Sequence, residues 1–81
     1  IIQATQYYAK YIRGSGIKIN SISPGGVYDN HSKNFVKKYS NYTNHNSMLS
    51  ASDVVSLVEF LSLGKHKITG QNIIFDDGFI L

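Results

Sequence analysis

Two short β-rich runs flank a long polar stretch that holds one well-marked amphipathic helix, and this order limits the folds open to the chain. Over residues 17–22, Ile17 and Ile19 alternate with Lys18 and Asn20. That pattern suits a half-buried strand, where β-branched side chains pack well on the pleat. Asn72, Ile73, Ile74 and Phe75 form the second run. Between them Val54, Leu57, Val58 and Leu61 recur at helical spacing and predict a helix over residues 50–63. Ser50, with Asp53 three residues later, predicts a capping box at its start. Gly64 is expected to end it, with Lys65 and Lys67 complementing the helix dipole. Two strands joined through a helical crossover form a βαβ unit, so the pair is expected to be parallel and right-handed.

The flanking segments complete the order. Residues 1–13 predict a helix with Ile1, Thr5, Tyr8, Ala9 and Ile12 on one face. Gly14-Ser15-Gly16 ends it, since glycine enters the left-handed region without steric cost. No Ser, Thr, Asp or Asn precedes this helix as a cap, so its true start is expected upstream. Ser23-Pro24-Gly25-Gly26 is expected to stop the first strand, because proline has no N–H for a ladder. Residues 28–49 are polar and rich in asparagine. A short helix over residues 32–39, with Phe35, Val36 and Tyr39 on one side, is expected there, followed by a mobile loop over residues 40–47. Segments of this length often cover sites. The apolar end Phe79-Ile80-Leu81 is expected to be buried against something.

Composition removes several function classes. With 81 residues the chain is at most one domain, and it reads as a partial one over residues 1–81. It has no cysteine, hence no disulfide and no thiolate metal site. His31, His45 and His66 lie far apart without metal-ligand spacing, so no metal is expected. No G-x-S-x-G is present, which argues against a serine nucleophile. No apolar run approaches the ~20 residues of a membrane span, and no membrane partner is expected. The net charge of +3 is small and spread along the chain. Lys33, Lys37 and Lys38 with Tyr39 and Tyr42 could form a basic, aromatic patch, but Lys37 and Lys38 are read as a solvated helix face, and no nucleic-acid partner is expected.

Two strings carry a family resemblance: GIKINSISPGGV at 16–27 and ITGQNIIFDDGFIL at 68–81. With Asn20, Pro24-Gly25, Thr69-Gly70-Gln71, Asp76 and Gly78 in this order, the chain resembles the C-terminal part of the short-chain dehydrogenase/reductase family. The resemblance covers essentially the whole chain. It implies an α/β fold, a C-terminal fragment of a Rossmann-like doubly wound parallel sheet. Residues 17–22 and 72–75 would then be the sheet's last two strands. It also implies a parent oxidoreductase that interconverts a carbonyl and an alcohol by hydride transfer with NAD or NADP. The family's catalytic Tyr-x-x-x-Lys would end just upstream of Ile1. None of the six tyrosines here has a lysine four residues on, and no glycine-rich phosphate loop is present. No catalytic residue is therefore assigned within this chain, and the segment alone is expected to be inactive.

What the resemblance assigns here is the cofactor turn and the lid. Backbone groups at Pro24, Gly25 and Val27 would meet the nicotinamide carboxamide, with Gly26 completing the turn. Asp29, counted with these cofactor-binding residues, stands where the family often has threonine, and a carboxylate there is less welcome near the cofactor's phosphates. Residues 28–49 match the variable substrate lid, with Tyr28 and His31, and further on Phe35 and Tyr39, as residues that would line a small carbonyl or alcohol substrate. The resemblance further implies a homodimer or homotetramer and a cytoplasmic location. Two other readings stay open: a small stand-alone α/β binding module, and a non-catalytic structural relative of the family, toward which Asp29 leans.

Overall fold

The computed structural model describes residues 1–81, and its elements run α1 (Ile2–Tyr11), β1 (Ser21–Pro24), α2 (Lys33–Ser40), α3 (Ala51–Leu63) and β2 (Asn72–Phe75). The two strands pair in parallel, with Ser21, Ile22, Ser23 and Pro24 opposite Asn72, Ile73, Ile74 and Phe75. The crossover predicted from the two runs is present.

β1 is shorter than its isoleucine pattern predicts and starts at Ser21 rather than residue 17. Side chains take over the pairing there. Asn20 Nδ2 donates to the Ile68 carbonyl at 2.8 Å, and its Oδ1 accepts from Gln71 N–H at 3.1 Å. Ile19 N–H reaches Thr69 Oγ1 at 3.1 Å, and Gly70, at φ +74°, donates to the Ile19 carbonyl. A left-handed residue breaks the extended ladder, and the polar side chains satisfy the backbone groups it leaves over. At the other end Pro24 occupies the last strand position, and Gly25 N–H adds one more bond to the Phe75 carbonyl at 2.8 Å.

α3 begins as its sequence predicts. Asp53 N–H donates to Ser50 Oγ at 3.2 Å, and Ser50 N–H donates to Asp53 Oδ2 at 2.8 Å. It ends, as expected, at Leu63 with Gly64 as its C-cap. Gly64 is extended, at φ −69° and ψ 150°, and Lys65 and Lys67 lie beyond the last turn. His66 serves that end instead: Nε2 lies 3.0 Å from the Leu61 carbonyl while Nδ1 accepts from Ile68 N–H at 3.0 Å. Lys18 Nζ fastens the same loop to the sheet by donating to the His66 carbonyl at 3.0 Å.

Little of the chain is enclosed. Only Met48 and Leu49 are buried hydrophobic residues. The radius of gyration is 15.3 Å, against about 12 Å for a compact domain of this length. The Phe79-Ile80-Leu81 end, expected to be covered, is exposed; only the Phe79 ring finds a partner within the chain. Residues 40–47 form hydrogen-bonded turns rather than a free loop, tied to the end of β2 through Asn44 and His45.

Candidate functional site

In open parallel sheets the ligand-bearing edge lies beyond the carboxyl ends of the strands. β1 delivers Pro24-Gly25-Gly26-Val27 to that edge, and β2 delivers Asp76-Asp77-Gly78 beside it. The corner is held on three sides. Gly25 N–H donates to Phe75 O, and Gly26 O accepts from Leu49 N–H at 3.1 Å. Gly26 N–H donates to Tyr39 Oη at 2.6 Å. Tyr28 N–H donates to Leu49 O at 2.8 Å, so Val27 and Leu49 form a one-residue parallel bridge.

Both glycines are required by close approach. A Cβ on Gly26 would meet Tyr39 Cζ at 2.7 Å, and one on Gly25 would meet Asp76 Cβ at 2.8 Å and Tyr39 Oη at 2.9 Å. The ladder partners on one side of the bridge leave Val27 N–H and C=O without a partner in the chain. A donor and an acceptor on one residue match the two polar groups of a primary carboxamide. The residues present therefore fit a nicotinamide amide at this corner. An apolar cavity of about 430 Å³ flanks it, walled by Pro24, Val27, Val54, Val55 and Val58.

The remaining sequence-assigned residues fall near this corner in unequal ways. Tyr28 and His31 lie on the segment that leaves it, their rings 6.2 Å apart, and His31 stacks on Phe35 at 4.8 Å. Asp29 is exposed, and its N–H donates to His31 Nδ1 at 3.2 Å. Tyr39, grouped with the lid residues by sequence, turns toward the glycine corner and stacks on Phe79 at 4.3 Å with ring planes 9° apart. Nothing in the spacing of Gly26 and Tyr39 announces that bond. The same holds for His45 and Asp77, whose side chains meet at 2.7 Å.

A second cleft, of about 650 Å³, lies between the end of α1 and residues 66–71 and is lined by Lys10, Arg13 and Lys67. It opens where the strands begin, the end of the sheet that ligands of such folds do not use. No group of His, Asp and Glu is arranged to hold a metal ion, and no helix is long and apolar enough to cross a membrane.

Comparison with known proteins agrees with this geometry. Residues 1–80 match the family model described as enoyl-(acyl carrier protein) reductase. The chain is 32% identical over 74 residues to the post-translational flagellin modification protein A of Campylobacter coli, covering 90% of this chain and 29% of that protein. Among solved structures it is similar to a short-chain dehydrogenase of Leptospira borgpetersenii with bound NAD+, at 41% identity and a TM-score of 0.85, over 100% of this chain and 32% of that one. It is also similar to 4-hydroxyisoleucine dehydrogenase complexed with NADH, at 26% identity and a TM-score of 0.81, over 96% of this chain and 35% of that one. The chain thus spans about a third of the length of the relatives it matches. By family model, sequence and parallel-sheet geometry together, the chain belongs to the short-chain dehydrogenase/reductase family.

Proposed function

We propose that this chain is the C-terminal part of an NAD(P)-dependent oxidoreductase that interconverts a carbonyl and an alcohol. The observation that carries the reading is Val27, whose N–H and C=O stand unpaired at the carboxyl edge of two parallel strands. A nicotinamide bound there supplies or accepts the hydride. The chain's part is to grip and orient the ring. Val27 N–H would donate to the amide oxygen and Val27 C=O would accept from the amide nitrogen. The clamped glycines keep that pair from drifting, since small displacements of a reacting centre cost rate steeply.

Residues 28–49 form the substrate lid, with Tyr28 and His31 at its hinge beside the corner. The proton-handling residues belong to the part of the protein outside this segment. Exposed apolar residues of α3 and β2, among them Phe60, Leu63 and Ile74, supply contact surface for a homodimer or homotetramer in the cytoplasm.

The test uses the full-length polypeptide that carries this sequence. Titration with NADH and NADPH, followed by fluorescence, is expected to give saturable binding of at least one. A panel of ketones is then expected to oxidise that cofactor. Absence of binding by both cofactors sinks the reading. Binding without turnover on any carbonyl favours the non-catalytic relative, toward which Asp29 leans.

A further inference from the structure

We propose that Tyr39 is a positioning residue: its side chain sets the backbone of the glycine corner and so couples lid helix α2 to the nicotinamide end of the cofactor. The inference rests on the cofactor reading above and extends it to a residue on the lid.

The hydroxyl of Tyr39 accepts the Gly26 N–H at 2.6 Å, across 13 residues of sequence. The ring stands where side chains at Gly25 and Gly26 would otherwise be. The ring is also held by Phe79, stacked at 4.3 Å, and Phe35 stacks beside it along α2 at 6.2 Å. The ring is thus clamped between the corner and the segment after β2, and it is half-buried. Val27, the residue after Gly26, carries the unpaired N–H and C=O. The two peptides that carry those groups are held by Leu49, whose N–H donates to Gly26 O and whose C=O accepts from Tyr28 N–H. The Tyr39 bond fixes the peptide before them, Gly25–Gly26, and so sets how the chain enters that bridge. Any shift of α2 on substrate binding moves Tyr39, and with it the corner.

Two ligands separate this role from a merely structural one. NADH carries the nicotinamide; ADP-ribose shares the rest of the molecule and lacks the ring. In the full-length protein, Tyr39→Phe keeps the stacking and removes the hydroxyl, leaving Gly26 N–H unsatisfied. The expected result is a loss of NADH affinity of about tenfold, the scale of one lost hydrogen bond to a half-buried donor, with ADP-ribose affinity unchanged. Equal loss for both ligands, or loss for neither, overturns the proposal while leaving the cofactor reading intact. A wild-type protein that binds ADP-ribose and NADH equally, with no gain from the ring, sinks the cofactor reading and this inference together. Phe79→Leu is the second variant, read in the same way if Tyr39→Phe does not fold. It loosens the ring without touching the hydroxyl, and a smaller loss confined to NADH is expected; no selective loss overturns the proposal.

Discussion

The carboxylate of Asp77 holds His45 by two atoms: Oδ1 lies 2.7 Å from the ring Nδ1 and Oδ2 accepts the His45 N–H at 2.9 Å. Asn44 N–H adds a third bond, to the Asp77 carbonyl at 2.8 Å. Asp77 sits at φ +55°, a left-handed conformation that costs a non-glycine residue free energy and persists where neighbours over-determine it. Asn44 and His45, near the far end of the 28–49 segment, are therefore pinned to the turn after β2.

That pair predicts a pH dependence. The Asp77 hydrogen bond, aided by its charge and by Asp53, holds the His45 pKa above 6.5. The same ring, then the His45 N–H, hold the Asp77 carboxyl below 3.8. A raised histidine contributes its stability fully below 6.5 and loses it as pH climbs through the raised value. A lowered carboxylate contributes above 3.8 and loses it as pH falls through the lowered value. The pin is thus complete between pH 3.8 and 6.5 and loosens on both sides. Amide hydrogen exchange at residues 43–47 in the full-length protein is expected to quicken, after correction for intrinsic rates, as pH rises from 6 to 8. In His45→Gln that corrected step disappears. The His45 side chain is exposed, so added salt also weakens the effect.

Gly26→Ala is expected to be one of the costlier small substitutions in the chain. Its Cβ would stand 2.7 Å from the Tyr39 ring, which is already stacked on Phe79. Forcing a methyl into such a contact costs about 1–3 kcal/mol. Chemical denaturation of the full-length protein measures this directly. Gly26→Ala combined with Tyr39→Leu, which frees the space, is expected to recover part of the loss; additive losses argue that the contact is not the cause.

The fold's legible parts are those written in local pattern. Strand identity at Ile22 and Ile73, the parallel crossover and the Ser50–Asp53 box follow from spacing and cap chemistry alone. The Gly14 and Gly16 turn follows too, with φ of +89° and +79°. What spacing cannot carry is long-range side-chain pairing. Asn20 and Thr69 replace a strand with side-chain bonds, so the isoleucine alternation at 17–19 overstates β1. Tyr39 reads as one of several lid aromatics until its hydroxyl is seen on Gly26. His45 lies in an asparagine-rich run that predicts a free loop, and only Asp77, far along the chain, makes it a fixed one.

Ser50→Ala tests the part of the fold read most directly from sequence. The Ser50 hydroxyl accepts from Asp53 N–H, and the Asp53 carboxylate returns the bond to Ser50 N–H. Loss of an N-cap of this kind costs about 1 kcal/mol. The Asp53 carboxyl is held below 3.8, first by Ser50 N–H and then by its hydroxyl, so its half of the box weakens as pH falls below that value. Urea melts of the full-length variant at pH 7 are expected to shift the midpoint downward with an unchanged slope, since the exposed surface is the same. An unshifted midpoint would mean that packing, and not the cap, holds the start of α3.

The 81 residues expressed alone are expected to neither turn over substrate nor melt sharply. A two-stranded sheet is marginal in water, and here the only buried hydrophobic residues are Met48 and Leu49. Ile74 on β2, Phe60 and Leu63 on α3 and the Ile80-Leu81 end all face solvent. Such a surface, together with strand edges that lack partners, favours association between copies. Size-exclusion chromatography is expected to show oligomers or aggregates, and thermal unfolding by circular dichroism to be broad. Adding the rest of the polypeptide in cis is expected to restore a cooperative transition. A monomeric 81-residue chain with a steep melt would show that the exposed apolar face needs no cover.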